Sequence, residues 1–452
     1  MAKDQSITID NFQTIGLSSM TGFENIRGLN VSDEPGIAKV HGKLSLDSAT
    51  TIPSLPIAGI KFNGYYYVVD SGQEVFKDDS GWSQVASNFA SGKVAVWRDY
   101  LVGCRTTTLD VLSTADVETN LDGSMPSNGH QMCLVGDDDK VYIIGGNNIS
   151  RLEEVVGQDF DPSSGATYTV TDNVQNLPEG VTANCCTAWN GNIVIGADDG
   201  YIYVWNGTDT NFTDKVRTPE ESINQIITTN RRVYLQAGRF GNLYFYDGTR
   251  VQLLRRGPES ILNYGDTGTT FEPESIAEVD NKLLYGVRCG DTVTTAGVYS
   301  FDLNTGAYTC EAEVSGGNTD DMIIGVILPT SEKTYFVGWE NGDTTTYGLD
   351  LKGSNQYTGD VAYLISQYYF LPTGWDKKTF QHLEINFAKP LTSGDSAKVY
   401  YREDLNASWT LHETIDTVGV LRKNLDALPP LRAIQLKVTL NDDAELINII
   451  LK

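Results

Sequence analysis

The segment TAWNGNIVIGADDGYIYVWNG, residues 187–207, contains the pattern from which the fold can be predicted. Two short apolar runs meet at Asn190-Gly191, and a third run, YIYVW, ends at a second Asn-Gly pair. Asn and Gly tolerate positive φ, so both pairs favour tight turns between antiparallel strands. The stretch therefore predicts three consecutive strands of one antiparallel sheet.

The same hairpin pattern recurs along most of the chain. Its turns are Asn63-Gly64, Arg98-Asp99, Asp137–Asp139, Asn190-Gly191, Asn230-Arg231, Asp280-Asn281 and Ser331-Glu332, which places successive turns 36 to 52 residues apart. Aromatic runs like YIYVW follow in register, and Pro178, Pro219 and Pro273, each followed by Glu, precede three of the hairpins. A repeat of about 40–50 residues is typical of one four-stranded propeller blade. The pattern predicts an all-β protein with a β-propeller of about seven blades; one or two β-sandwiches with evenly spaced hairpins are the alternative.

Two segments flank the repeats. Residues 1–50 contain a short strand pattern at Ile7–Ile9 and then polar, Gly-rich sequence, so we expect an arm that closes the propeller with an outer strand or contacts a neighbour. The propeller is predicted over 51–358. Residues 359–452 carry six strand patterns between loops rich in Gly, Pro and Asp, which predicts a C-terminal β-sandwich. The six patterns are Ala362–Leu371, Leu383–Phe387, Ala397–Tyr401, Trp409–Thr414, Ala433–Leu440 and Leu446–Leu451.

The composition restricts the possible functions. With 33 Lys and Arg against 59 Asp and Glu, the net charge of −26 argues against a surface that follows nucleic-acid phosphates. No run approaches the roughly 20 apolar residues of a membrane span, and the first residues lack the profile of a signal peptide. Six sparse cysteines, with Cys185 and Cys186 adjacent, indicate reduced thiols in a chain made in the cytoplasm.

Motifs for catalysis, cofactors and metals are not found, so we expect no catalytic, cofactor-binding or metal residues. The four histidines lack zinc-ligand spacing, and we expect surface or turn positions for His41, His130, His382 and His412. Asp137–Asp139 and Asp198–Asp199 supply the oxygens that Ca²⁺ prefers, but both lie at predicted turns, where Asp is favoured for local hydrogen bonds. Thr218–Glu221 has the signature of a helix start and predicts one helical turn.

An alternative function is carbohydrate binding or glycoside cleavage in receptor recognition. Propellers also carry glycosidases with paired acids, and tryptophans could serve as sugar platforms. The candidates are Trp82, Trp97, Trp189, Trp205 and Trp339, which at strand positions are more typical of blade core. The segment 79–82, DSGW, is a partial likeness to the aspartate-box turn of sialidases, a structural turn in that family.

Nearly the whole chain resembles a known class of proteins. An arm containing GFENIRGLNVSDEPG (22–36) precedes an acidic propeller and a terminal sandwich with KVYYREDLNASWTLHETI (398–415), RAIQLKVTL (432–440) and ELINIILK (445–452). This order is similar to virion structural proteins of tailed bacteriophages, especially the propeller-bearing tail nozzle or tail-tube proteins of short-tailed phages. The chain is shorter than typical nozzle proteins, which carry large extra domains.

The resemblance implies a non-enzymatic ring subunit of a phage tail, as a nozzle, hub or head-to-tail connecting protein, that forms part of the DNA exit channel. The implied partners are copies of itself and portal, tail or adaptor proteins. DNA passes only transiently, without specific binding, and no cofactor or membrane span is involved. The implied location is the virion, after synthesis in the host cytoplasm. The family has no catalytic residues to carry over.

Overall fold

A computed structural model describes residues 7–9, 23–31, 33, 36–48, 52–125, 131–135, 140–257, 271–287, 297–316, 322–331, 333–342, 344–356, 362–370 and 380–452. All regular secondary structure in these ranges is β-strand. The expected all-β class is confirmed.

Five short strands come from the N-terminal segment. They are β1 Ile7–Ile9, β2 Phe23–Arg27, β3 Leu29–Asn30, β4 Ala38–Val40 and β5 Gly42–Ser48. They do not form a unit of their own, because each pairs with a strand from another part of the chain or with a neighbour that does.

Six four-stranded antiparallel sheets follow in the described ranges, and four further antiparallel strands, β26–β29, form one end of a ten-stranded sheet; we call each of these seven groups of four strands a blade. Their strands, separated here by blade, are β6 Pro56–Phe62, β7 Tyr65–Asp70, β8 Val75–Asp78, β9 Trp82–Ala86; β10 Ala95–Trp97, β11 Tyr100–Arg105, β12 Thr108–Leu112, β13 Glu118–Asp122; β14 Gln131–Val135, β15 Lys140–Gly145, β16 Asn148–Glu154, β17 Tyr168–Asn176; β18 Ala183–Trp189, β19 Asn192–Ala197, β20 Tyr201–Trp205, β21 Asp214–Arg217; β22 Ile223–Thr229, β23 Arg232–Ala237, β24 Asn242–Tyr246, β25 Val251–Arg255; β26 Ile276–Val279, β27 Lys282–Val287, β28 Gly297–Asp302, β29 Tyr308–Ala312; and β30 Met322–Pro329, β31 Tyr335–Asn341, β32 Thr346–Gln356, with β5 as the fourth strand.

Five of the predicted turns form inner hairpins of the blades. Each has two consecutive residues with positive φ, as a tight hairpin turn requires. These are Asn63-Gly64 (47° and 85°), Arg98-Asp99 (50° and 61°), Asn190-Gly191 (48° and 74°), Asn230-Arg231 (48° and 64°) and Asp280-Asn281 (53° and 58°). The turn at Asp137–Asp139 lies outside the described residues.

The N-terminal segment closes the ring. Strand β5 pairs antiparallel with β32 and completes the seventh blade, whose innermost strand β30 packs against β6 of the first. A Cβ at Gly42 would lie 2.5 Å from the carbonyl oxygen of Gly353, so this close approach of two backbones requires glycine.

Aromatic side chains connect neighbouring blades. The Tyr67 hydroxyl donates to Asp116 at 2.9 Å, from the first blade to the second, and Tyr246 donates to Asp214 at 2.9 Å, from the fifth to the fourth. Both rings are almost fully buried, so each ring fills the gap between two sheets while its hydroxyl finds a partner at the gap's edge.

The C-terminal sandwich is built from both ends of the chain. Its C-terminal strands are β33 Tyr363–Ser366, β34 Tyr369–Phe370, β35 Leu383–Phe387, β36 Ser396–Arg402, β37 Thr410–Ile415, β38 Arg422–Leu425, β39 Ala433–Asn441 and β40 Glu445–Leu451. In one sheet β40 pairs with β1, β4 and β35. In the other, β33 pairs with β39 and β2, and β2 also lies parallel to β29 of the sixth blade.

Two local expectations fail. The predicted helical turn at Thr218–Glu221 is wrong: 219–221 is a bend. There the Thr218 hydroxyl donates to the Gly200 carbonyl at 2.9 Å, and the Glu220 carboxylate accepts from Asn242 at 2.8 Å. These bonds connect the segment to neighbouring strands and keep it from forming a helical turn. The sandwich also has a strand, β38, that no pattern predicted.

Candidate functional site

The centre of the propeller is a channel between the innermost strands. A first cavity of about 410 Å³ lies where these strands begin, and a second of about 320 Å³ lies farther along them. The first is lined by residues of six blades or the links before them, among them Ser91, Gln131, Asn184, Asn224 and Phe271. Its volume is within the range of about 300–1,000 Å³ for small-molecule sites.

An ion pair crosses the channel beside the second cavity. Lys93 precedes the second blade, Glu274 precedes the sixth, and the Lys93 Nζ lies 3.1 Å from a Glu274 carboxylate oxygen. Burial disfavours the charged ammonium, but Glu274 outweighs it and raises the pKa of Lys93 above its usual range. Because the two residues come from distant sides of the ring, the pair bars the channel.

Amide side chains form the polar part of the first cavity. The Asn184 Nδ2 donates to the Ile223 carbonyl at 3.0 Å, and the Asn224 Nδ2 donates to the Gly238 carbonyl at 3.0 Å. These backbone acceptors fix the orientation of both amides. Gln131 is only 6% exposed, and among the described residues its Oε1 has no hydrogen-bond partner.

Two acidic residues of the second cavity, Glu274 and Glu278, are engaged in contacts with other blades. Glu274 is paired with Lys93, and Glu278 accepts a hydrogen bond from the Thr229 hydroxyl. Burial raises the pKa of Glu278.

Sequence reasoning missed Lys93 and Gln131, which carry no motif. The signal for Glu274 was the repeated Pro-Glu pair before the hairpins.

The aspartates considered for Ca²⁺ accept local hydrogen bonds where they are described. Asp198 accepts a bond from the Thr182 amide at 2.8 Å, and Asp199 accepts from the Tyr203 hydroxyl at 2.7 Å. Both therefore support the turn between β19 and β20. Asp137–Asp139 lies outside the described residues. In the part of the chain that the structure describes, no three His, Cys, Asp or Glu side chains are grouped to hold a metal ion.

The tryptophans belong to the blade core. Trp82, Trp97, Trp205 and Trp339 are at most 7% exposed. Trp189 packs against Tyr246, and its Nε1 donates to the Arg231 carbonyl at 2.9 Å. None of the five forms an open sugar platform.

One histidine expectation is wrong. His41 is buried rather than at the surface, because it lies in a cluster of charged and polar groups between the sixth blade, the seventh blade and the N-terminal segment. The Glu311 carboxylate lies 2.9 Å from the His41 Nε2 and 3.0 Å from the Lys352 Nζ, and it accepts from the Tyr335 hydroxyl at 3.3 Å. We call these four residues the seam cluster. His130 lies outside the described residues, and His382 and His412 are partly exposed.

Burial opposes ionisation of Glu311, but the neighbouring His41 and Lys352 outweigh it and hold the pKa of its carboxyl well below the usual range.

The cysteines that the structure describes are free and buried: Cys104, Cys133, Cys185, Cys186 and Cys310. No helix long and apolar enough to cross a membrane occurs in the described ranges.

No family model matches the chain. Among curated proteins it is similar to a phosphoribosyl imidazole-4-carboxamide isomerase of Burkholderia mallei and Burkholderia pseudomallei, with 27% identity over 193 residues. The match spans 41% of this chain and 71% of the isomerase.

Solved structures resemble the fold. A streptogramin B lyase has a TM-score of 0.50 and 12% identity, covering 70% of this chain and 98% of the lyase. The extracellular domain of a hybrid two-component system of B. thetaiotaomicron has a TM-score of 0.50 and 14% identity, covering 83% of this chain and 47% of that one. Raptor of Chaetomium thermophilum has a TM-score of 0.50 and 11% identity, covering 71% of this chain and 30% of Raptor. At these identities the likeness concerns the fold alone.

Proposed function

We propose that this chain is a non-enzymatic structural component of a phage virion, a ring subunit of the tail as nozzle, hub or head-to-tail connector. The observation that carries the proposal is the way both ends of the chain are tied into the sheets. Strand β40, the last of the chain, pairs with β1 and β4, and β5 completes a blade. These pairings between strands far apart in sequence resist unfolding of either part, which suits a protein that transmits force.

The second contact supporting this role joins the sandwich to the propeller. Arg27 of β2 is almost fully buried and forms an ion pair with Glu313, next to the outer strand of the sixth blade. The amide of Gly28 donates to the Cys310 carbonyl at 3.0 Å. The two parts thus share a strand and a buried ion pair, and a ring of such subunits would not flex at this joint.

The exit channel in this proposal is the space enclosed by several subunits. Because the Lys93–Glu274 pair bars the propeller's own channel, DNA would pass between copies of the chain. A ring of identical subunits uses heterologous interfaces that close by rotation. The net charge of −26 reduces adhesion to passing phosphates. Portal, tail or adaptor proteins would be the other contacts, and the virion the location.

Genetic complementation tests this function. A phage that lacks the gene is supplied with the wild-type chain or with Glu272→Gln, which removes a carboxylate from the first cavity. We expect particles without the chain to be non-infectious, and both supplied chains to restore infectivity equally. Restoration by the wild-type chain alone, with the variant still incorporated into particles, would favour an enzyme. Full infectivity without the chain would refute the structural role.

A further inference from the structure

The first cavity of the channel has features of a binding site rather than of a gap between blades. Six blades or the links before them contribute to its wall, so a molecule inside would contact most of the ring. The side chain of Gln131 lines it while only 6% exposed, and among the described residues its Oε1 has no partner. A buried acceptor without a partner is costly, and a ligand that donates a hydrogen bond removes that cost.

The polar atoms that line the cavity indicate which kind of ligand it would bind. Since the amide hydrogens of Asn184 are used by Ser222 and Ile223, its oxygen is the atom left for a guest. Ser91 donates its hydroxyl hydrogen to the Cys104 carbonyl and likewise keeps acceptor capacity. The cavity therefore offers several oxygen acceptors, which match a ligand with several hydrogen-bond donors.

The charges around the cavity disfavour an anionic ligand, because Glu272 brings a carboxylate to the lining residues. Lys93 and Glu274 follow directly after residues that line the first cavity, and their charges compensate each other at 3.1 Å. The ring of Phe271 adds an apolar surface to the wall. Small-molecule sites combine such apolar surface with a few placed polar groups.

We propose that the first cavity binds a neutral polyhydroxylated ligand of monosaccharide size, with Gln131 as the central acceptor. The hydroxyl groups donate to Gln131, Asn184 and Ser91, and the apolar face of the sugar ring lies on Phe271. This site goes beyond the structural function above and does not depend on it, because it needs only the single folded chain.

The test is ligand-observed NMR on the full chain with glucose, galactose, mannose and N-acetylglucosamine, and with spermidine as a cationic probe. We expect saturable binding of at least one sugar and none of spermidine. Gln131→Met preserves shape and removes the acceptor, so it should weaken sugar binding about five- to tenfold, the loss expected for one hydrogen bond. Its melting temperature should not fall, because the oxygen it removes has no partner among the residues that the structure describes.

Gln236→Met is the matched control. Gln236 is also fully buried, and its Oε1 has no partner in the described ranges, but it does not line the cavity, so this variant should bind sugar as the wild type does. A second variant, Phe271→Leu, should also weaken binding. The proposal is overturned if no sugar binds saturably, if spermidine alone binds, or if Gln131→Met and Phe271→Leu both bind with wild-type affinity.

Discussion

The seam cluster should be a main support of the closed ring, and Glu311→Gln tests this. Glu311 is 3% exposed, and its partners His41 and Lys352 are 5% and 14% exposed in their side chains. Glutamine preserves the volume and removes the charge, which leaves the Lys352 ammonium buried without its counter-ion. Loss of one partner of a buried ion pair costs about 3–5 kcal/mol.

This cost converts into a measurable change in thermal stability. Unfolding entropy is about 2.1 cal/mol/K per residue, or roughly 0.6 kcal/mol/K for a propeller of about 300 residues. Glu311→Gln should therefore lower the melting temperature by about 5–8 °C in differential scanning calorimetry. Hydrogen exchange should accelerate most in β5, because His41 directly precedes this strand and Lys352 lies on its partner β32.

Two further variants complete the experiment. Glu179→Gln removes an exposed carboxylate and should change the free energy of unfolding by less than about 0.5 kcal/mol. Glu311→Gln combined with Lys352→Met should recover part of the loss, since no buried ammonium remains. A melting temperature within 1 °C of wild type for Glu311→Gln, with unchanged exchange in β5, would refute the claim that this cluster holds the closing strand.

Three other predictions concern charge. Lys452, Asn386 and Arg422 lower the pKa of Glu384 from 4.5 to about 2. The ionised carboxylate therefore stabilises the fold fully above pH 4.5, and this stabilisation is lost as pH falls towards 2. Calorimetry between pH 6 and 2 should show a smaller loss of stability for Glu384→Gln than for wild type. Burial raises the pKa of Asp110 from 3.8 to about 6, so its ionised form destabilises the fold as pH rises through this window; Asp110→Asn should gain stability over wild type at pH 7.5 and show no gain at pH 4. Lys93→Met should lower the midpoint of urea unfolding, because it leaves Glu274 without its partner. Adding Glu274→Gln should restore most of the lost midpoint. Equal midpoints for the single and the double variant would contradict the pairing.

Local sequence was sufficient for much of the propeller. Asn190-Gly191 and the related turns predict their hairpins because few residue pairs tolerate two positive φ angles in succession. Most strand boundaries of the sandwich were also close, and Leu383–Phe387 matches its strand β35, but the predicted strand Ala362–Leu371 is divided into β33 and β34. These features depend on neighbours within a few residues, so a single sequence contains them.

Contacts between distant segments were not predictable. His41 looks like any isolated histidine, and its burial depends on Glu311 and Lys352, which lie some 270 and 311 positions away. Gln131 sits in an ordinary strand, and only the closed ring turns its side chain into the wall of a cavity. Strand β38 has the polar sequence RKNL and no alternation, because it lies at a sheet edge with one buried residue.

The proposed role in the virion can be tested by quantitative mass spectrometry of purified phage particles, with this chain counted against the major capsid protein. The structural account predicts a low, fixed copy number per particle that is consistent with one tail ring and is unchanged by further purification. Absence from particles, or a copy number that falls with each purification step, would contradict a role in the virion.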